Sequence, residues 1–265
     1  MKTRSVVRVF LSVTLLVVML VWGCGPKGGR IILDAEDQYA LAKREFELKH
    51  FDRAVVELEK LILNYPGVSF IDSAHYLLGT TYFRQKEYPL AIGEFNRLLS
   101  SFPTSLLADK AALKVAESDV EMSPRAELDQ EHTLKAMDEL KNFLNDYPQS
   151  DQREPALGLL NKCRAKLAFK AYKAARVYYT MGHYDSAVIY LRQVLGDYQD
   201  TEWAKPAQFQ LAEVLYKQKK YREAEEEYQN FVQTFPNDKL AGQARKRLEK
   251  IGKLGIPATT GIGEK

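Results

Sequence analysis

Apolar and polar residues follow a helical period along almost the whole chain after residue 34. No stretch of useful length shows the two-residue alternation that is typical of a half-buried strand. The helices come in pairs, and the second helix of each pair repeats one pattern: alanine, large apolar residues four and seven positions later, and a stop that is usually aromatic-proline. The pattern predicts an all-α fold, a solenoid of about five helix pairs.

The repeat depends on small residues that let paired helices approach closely. The five matching segments are HFDRAVVELEKLILNYP, EYPLAIGEFNRLLSSFP, HTLKAMDELKNFLNDYP, HYDSAVIYLRQVLGDYQ and KYREAEEEYQNFVQTFP. Their alanines are Ala54, Ala91, Ala136, Ala187 and Ala224, and their stops are Pro66, Pro103, Pro148, Gln199 and Pro236. The seam residues one turn further on are Leu58, Phe95, Leu140, Leu191 and Tyr228. The small residues of the first helices are Ala42, Gly79, Ala116, Ala175 and Ala212. This is the tetratricopeptide pattern, whose period is about 34 residues.

The template alanines are unevenly spaced, by 37, 45, 51 and 37 residues. The 45-residue spacing contains the polar segment 122–131, which predicts an enlarged loop within the third pair. The 51-residue spacing has no helix breaker between Ala156 and Met181, which predicts a first helix lengthened by about four turns to roughly 40 Å. We therefore expect repeats 1–3 at residues 34–150, this helix and repeats 4 and 5 at 151–251, and a disordered tail at 252–265.

Residues 1–23 have the layout of a signal peptide, with a basic start and an apolar run that is too short to span a bilayer. The segment Val21-Trp22-Gly23-Cys24 resembles the lipobox of bacterial lipoprotein precursors, whose cysteine carries the lipid anchor. Trp22 is bulkier than that box usually allows, so the alternative is a plain signal peptide with an incidental cysteine. The resemblance implies lipidation of Cys24 and a tether at residues 24–33. Gly25, where an Asp would favour the inner membrane, implies the periplasmic face of the outer membrane.

The net charge of +3 belongs to this N-terminal segment. Residues 1–23 hold three of the 38 basic residues and no acidic one, which leaves 35 basic against 35 acidic residues. The chain beyond the signal peptide is formally neutral, so we do not expect a nucleic-acid partner. Cys163 has no partner once Cys24 is acylated, and no disulfide is expected.

The sequence offers no catalytic or metal-binding motif. His50, His75, His132 and His183 are spread over different repeats, without the spacing that places two ligands on one helix face. No nucleophile elbow or phosphate-binding loop is present, and carboxylate runs such as 225–227 are typical of solvated helix faces. We expect neither an enzyme nor a cofactor.

Solenoids bind ligands in the concave groove that the first helices line. In repeats 1 and 2 the register places in this groove Tyr39, Lys43, Phe46, Tyr76, Thr80, Phe83 and Arg84. Aromatic rings and cations together suit an extended or hairpin peptide with an aromatic end and a carboxylate. For Phe46 and Phe83 packing against adjacent helices is an equal alternative. The fourth repeat is rich in tyrosine, of which Tyr178 and Tyr184 fall on core positions.

The whole region after Cys24 resembles the BamD family, lipoproteins of the outer-membrane β-barrel assembly complex. The resemblance rests on the lipobox, the enlarged third repeat, the long helix and, most specifically, on RAKLAFKAYKAARVYYTMGHYDSAVIYLRQVLGDYQDTEW (residues 164–203). Gln199 departs from the family, which commonly has proline there.

The resemblance implies a non-enzymatic scaffold. It implies that repeats 1–3 receive unfolded outer-membrane proteins through their C-terminal strand, and that repeats 4 and 5 dock onto the POTRA domains of the barrel subunit BamA, beside other Bam lipoproteins. The family's basic docking residue corresponds to Lys205, although a lysine cannot make a bidentate contact with a carboxylate. The alternatives are a pilotin-like secretin chaperone, a cell-envelope coordinator resembling CpoB, and a periplasmic enzyme or hydrolase adaptor.

Overall fold

The computed structural model describes residues 33–254, and the described chain is helical apart from its turns. The helices are α1 (Ala35–Glu47), α2 (Phe51–Asn64), α3 (Ile71–Gln85), α4 (Tyr88–Ser101), α5 (Ala108–Met122), α6 (Glu131–Asp146), α7 (Arg153–Thr180), α8 (Tyr184–Asp197), α9 (Ala204–Lys217), α10 (Tyr221–Thr234) and α11 (Lys239–Gly252). Each helix packs mainly against its neighbours in the chain, as in a solenoid. The all-α prediction of five pairs is confirmed, and α11 follows the fifth pair as a single helix.

The predicted repeat register is confirmed by burial. All five template alanines have 0% exposure, and so do the five seam residues that follow them. The clearest close approach is at Gly79 on α3, where a Cβ atom would lie 2.8 Å from the Phe95 ring on α4. A side chain at this position would therefore clash with the seam.

The enlarged loop and the long helix lie where the spacing predicts them. Between α5 and α6 the chain makes the loop 123–130, and α7 has 28 residues, which corresponds to about 42 Å. Helix α7 also carries two repeat registers. In the fifth pair, the buried Ala207 lies nine residues after the aromatic stop Tyr198, and the small residue Ala212 lies five residues after Ala207. In α7 the buried Ala156 likewise lies nine residues after the stop Tyr147, but the small residue Ala175 follows 19 residues after Ala156.

The apolar core changes partners along α7. Residues as far as Leu167 pack with α5 and α6, whereas those from Ala168 onward pack with α8 to α11. Helix α7 thus belongs to the third pair at its start and to the fourth pair at its end.

Several predictions made for the chain ends lie outside the described residues. These are the signal peptide, the lipidation of Cys24, most of the tether and the tail after Leu254. Gly252, which we assigned to the tail, is instead the last residue of α11. No helix in the described part is long and apolar enough to cross a bilayer.

Candidate binding surfaces

The seven groove residues lie on α1 and α3 at matching positions around Ala42 and Gly79. Phe46 contacts Phe51 at a ring-centroid distance of 5.7 Å, and Phe83 contacts Tyr88 at 5.4 Å. The same contact recurs in the fourth and fifth pairs, as Tyr179 with Tyr184 and as Tyr216 with Tyr221. A contact repeated in four pairs favours the packing interpretation for Phe46 and Phe83.

The two groove tyrosines are half-buried side chains that keep one side toward solvent. Tyr39 contacts Phe70 at 5.3 Å and Tyr76 contacts Phe95 at 5.7 Å. Burial raises the pKa of both hydroxyls, so both remain neutral donors near neutral pH. Thr80 is turned toward its own helix, because its hydroxyl donates to the Tyr76 carbonyl at 2.8 Å.

Cations lie on the same first helices, and two of them contact aromatic rings. Lys43 and Arg84 are exposed, and the Arg84 guanidinium lies 5.6 Å from the centre of the Phe51 ring. A third cation, which the register did not predict, is Lys114 on α5, with its Nζ 4.7 Å from the Phe83 ring centre and paired with Glu117. The corresponding positions of α1 and α3 hold Ala40 and Leu77, so the repeat pattern carried no signal for it.

Lys205 is held in a contact within the chain. Its Nζ lies 2.8 Å from Asp238 Oδ2 and 5.8 Å from the centre of the Phe235 ring. Asp238 is the N-cap of α11, where it also accepts from the Leu240 amide, and the Lys205 hydrogen bond lowers the pKa of its carboxyl. The side chain of Lys205 is still 45% exposed, so a partner could reach it.

The contact of Lys205 follows a pattern that links successive pairs. Ser105 donates to Asp72 at 2.5 Å, and Ser150 donates to Asp109 at 2.6 Å, from equivalent turn positions to equivalent helix positions. At the last such link a lysine replaces the helix aspartate and an aspartate replaces the turn serine. The ion pair therefore has a structural role in seating α11.

The tyrosines of the fourth repeat pack among themselves and with the following turn. Tyr178 stacks on Tyr190 with centroids 5.4 Å apart, and Tyr172 contacts Trp203 at the same distance. Tyr184 pairs with Tyr179, in agreement with its predicted core position. These rings stabilise the joint between α7, α8 and α9.

A buried polar cluster between α5 and α6 was not predicted. Asp119 has 0% exposure and accepts from His132 at 2.7 Å and from Lys135 at 2.8 Å. Burial, with the charge of Asp119, raises the pKa of the nearby Glu139 carboxyl to about 7. Single-sequence reasoning missed the cluster because Asp119 occupies an ordinary helix position and its partners lie across the enlarged loop.

The histidines stay separate, as their spacing indicates. His50 pairs with Glu45, His75 with Glu94 and His132 with Asp119, each in a different repeat. In residues 33–254 no group of three or more histidine, cysteine or acidic side chains is placed to hold a metal ion. Cys163 is a buried free thiol, and burial raises its pKa.

Helix α11 is fixed to the fifth pair by a second ion pair. Arg247 makes two contacts of 2.8 Å with the carboxylate of Glu213 on α9, and the hydroxyl of Tyr228 on α10 donates to the same carboxylate at 2.5 Å. Ala241, Ala244 and Ile251 bury the apolar side of α11. The C-terminal end of the solenoid is therefore one packed unit.

Comparison with known proteins agrees with the resemblance found in the residues. The family YfiO, described as an outer membrane lipoprotein, matches residues 33–211, and a tetratricopeptide repeat family matches residues 206–238. A relative in Aquifex aeolicus (strain VF5), provisionally assigned as the outer membrane protein assembly factor BamD, is 24% identical over 245 residues. This alignment covers 91% of the chain and 77% of the relative.

Solved structures with a similar course of the chain are repeat proteins. A TPR repeats protein from Bacteroides fragilis NCTC 9343 aligns with a TM-score of 0.48 at 11% identity, over 83% of this chain and 99% of that chain. The TPR2AB domain of yeast Sti1, in its complex with pHSP90, aligns with a TM-score of 0.44 at 14% identity, over 83% and 84%. Because the YfiO match spans well over half of the sequence, this chain belongs to the YfiO family of outer membrane lipoproteins, with a fold of tetratricopeptide repeats.

Proposed function

We propose that this protein is a non-enzymatic, lipid-anchored scaffold of outer-membrane protein assembly at the periplasmic face of the outer membrane. Repeats 1–3 bind unfolded outer-membrane proteins, and repeats 4 and 5 dock onto the POTRA domains of a BamA-like barrel subunit. The helix α7 separates these two modules. The proposal agrees with the family and with the named relative, and it needs no cofactor.

The observation that carries the substrate half is the set of cations and rings on α1, α3 and α5, the first helices, which line the concave side of a solenoid of this kind. There Lys43 and Arg84 are exposed, on the same helices as the half-buried Tyr39 and Tyr76. Arg84 lies over the Phe51 ring, and Lys114, which also pairs with Glu117, lies over the Phe83 ring. An aromatic side chain of a peptide can contact such rings, while its C-terminal carboxylate pairs with the cations. The tyrosine hydroxyls, whose pKa burial raises further above neutral pH, can donate to the peptide backbone.

A peptide-binding measurement tests this half. A ten-residue peptide that ends in phenylalanine with a free carboxylate should bind the full chain in detergent, and its C-terminal amide should bind more weakly. Lys43→Glu with Arg84→Glu should reduce affinity for the free carboxylate by at least tenfold, equivalent to about 1.4 kcal/mol. The matched control is Arg97→Glu with Lys162→Glu, which reverses two exposed cations away from the groove. Equal affinity of both variants would remove the groove from the proposal.

The docking half requires the direct role of Lys205 to be separated from its role in the turn. Lys205→Gln should weaken capture of purified POTRA domains, because the exposed cation is lost. Asp238→Asn keeps an N-cap acceptor for α11 and removes the intramolecular partner, so capture should be unchanged. Equal losses in both variants would mean that Lys205 acts only by seating α11. Recovery of a secretin instead of a barrel subunit from membranes would favour the pilotin-like alternative.

A further inference from the structure

Helix α11 carries a stripe of lysines along its outer face. Lys239, Lys246, Lys250 and Lys253 are spaced by seven, four and three residues, which places them on one side of the helix. All four are exposed, and no acidic side chain of residues 33–254 forms an ion pair with any of them. We call this surface the lysine stripe.

The position of the stripe in the solenoid explains why it is polar. The inner side of α11 is filled by Ala241, Ala244 and Ile251, and its remaining inward cation, Arg247, is bound to Glu213. At the seam position where the earlier first helices have alanine or glycine, α11 has the exposed Glu249. A further helix could not pack closely against this face, and a face that closes a solenoid must be polar to remain soluble.

The need for a polar end does not explain the excess of one sign. The exposed charged residues of α11 are Arg245 and three stripe lysines against one acidic residue, Glu249, which lies three residues after Lys246. Lys246 with Lys250 and Lys250 with Lys253 are like-charge neighbours on the helix surface, and such pairs destabilise the helix. The exposed residues of α1, at the opposite end, mix both signs: Glu36, Asp37, Lys43, Arg44 and Glu47. Mixed charge is therefore sufficient to keep the α1 end polar, whereas the α11 end has neighbouring lysines that repel each other.

We propose that the lysine stripe is a docking surface for an acidic face of a folded partner domain. This inference rests on the proposed function, since it gives the docking module its contact surface. An anionic membrane is less suited, because a helix that lies in a membrane surface needs an exposed apolar side and that of α11 is buried. The stripe also has no aromatic side chain on which a single-stranded nucleic acid could stack.

The stripe is adjacent to Lys205 through the turn that precedes α11. Lys205 is paired with Asp238, the N-cap residue immediately before Lys239. The cations of the stripe have no such partner within the described chain, so they are available to an outside carboxylate. We expect the stripe to contribute more to docking than Lys205 does.

Binding of purified POTRA domains to the full chain in detergent tests the inference. Lys246→Glu with Lys250→Glu should weaken binding at least tenfold and reduce its dependence on salt. The control Arg97→Glu with Lys162→Glu changes the net charge equally and should bind as wild type does. Gly242→Gln adds bulk without charge on the same face, where a Cβ meets no atom within 4 Å, and it should weaken binding only if a partner touches α11.

The outcomes separate this inference from the proposed function. If POTRA domains bind wild type and the stripe variant equally, the lysine stripe is not the docking surface, while the scaffold proposal stands. If they do not bind wild type at all, both fail. Vesicles that contain phosphatidylglycerol provide the remaining comparison: loss of vesicle binding with unchanged POTRA binding would assign the stripe to lipid and overturn the inference.

Discussion

The joint between the second and third helix pairs differs from the joint between the third and fourth. At the first, α4 meets α5 after a short turn, and Ala91, Phe95 and Ala111 share one buried apolar cluster across the boundary. At the second, the single helix α7 crosses the boundary, and the cluster that ends at Leu167 is followed by a different one that begins at Ala168. One joint is an apolar seam, whereas the other is a continuous helix.

Polar contacts brace the α7 joint. Lys166 donates to the Ser123 hydroxyl at 2.6 Å and to the Pro124 carbonyl at 3.1 Å, and Lys170 donates to the Leu128 carbonyl at 2.7 Å. Lys173 pairs with Glu127 on the same loop. The enlarged loop 123–130 is thus fixed to α7 by side chains at successive turns of the helix. The seams should be sensitive to volume and burial, and the α7 joint to hydrogen bonding.

The largest expected effect comes from charge placed in a seam. Ala224 on α10 has 0% exposure, and Ala224→Arg would force a long cation between α9 and α10. We expect a loss of at least about 4 kcal/mol and unfolding of the C-terminal pair, seen as a low-temperature step in a circular-dichroism melt. Asn230→Arg, at an exposed position of the same helix, is the control. A melt of Ala224→Arg identical to wild type would contradict the repeat register.

A smaller change of volume tests the seam of the second pair. Gly79→Ala places a methyl group within 2.8–3.0 Å of the fully buried Phe95 ring, which has little room to move. We expect a loss of about 1–3 kcal/mol in chemical denaturation, recovered in part by adding Phe95→Leu. Gly93→Ala on α4 is the matched control, since its Cβ meets no atom within 4 Å, and it should gain about 0.5–1 kcal/mol. An equal gain in both variants would show that helix propensity, and not packing in the seam, determines the change in stability.

The polar brace of α7 should respond differently. Lys166→Met with Lys170→Met keeps the side-chain stems but removes the donors to the loop 123–130. Amide exchange in that loop should accelerate about tenfold, because local opening loses hydrogen bonds of about 1 kcal/mol, while the global melting temperature changes little. Lys162→Met, at an exposed position earlier in α7, should leave the exchange unchanged. Protection of the loop that survives the double substitution would mean that the buried Ala126 holds the loop instead.

The parts of this fold that sequence predicts well are those that periodicity and small residues determine. The buried alanines, the loop 123–130 and the length of α7 all follow from spacing. Close backbone approach requires a small residue at a fixed position, and a longer segment changes the number of residues between repeats, so both can be read from one sequence. Side-chain contacts between different helices have no such signal in residue type or spacing. Lys114 over Phe83, Lys205 with Asp238 and the Asp119 cluster each depend on which rotamers meet across a groove or turn.

The smallest expected effect concerns the polar interior of the third pair, beside the α7 joint. Burial and the charge of Asp119 raise the pKa of Glu139 to about 7, from its ordinary value of 4.5, and one of its carboxylate oxygens, Oε2, is buried without a hydrogen-bond partner. The folded state therefore holds this proton more tightly than the unfolded state does. The contribution of protonated Glu139 to the free energy of unfolding is complete below about pH 4.5 and is lost as the pH rises toward 7.

Glu139→Gln should remove this pH dependence, because the amide stays neutral at every pH. At pH 8 the variant should be more stable than wild type by no more than about 1 kcal/mol, since the group is partly exposed and Lys135 lies 3.7 Å away, whereas at pH 5 the difference should be smaller. Urea denaturation at both pH values measures this difference. Glu131→Gln, an exposed change on the same helix, should show no such difference between pH values. A wild-type pH slope that persists in Glu139→Gln would assign the titration to another member of the Asp119 cluster and would leave the unpartnered Glu139 oxygen without energetic effect.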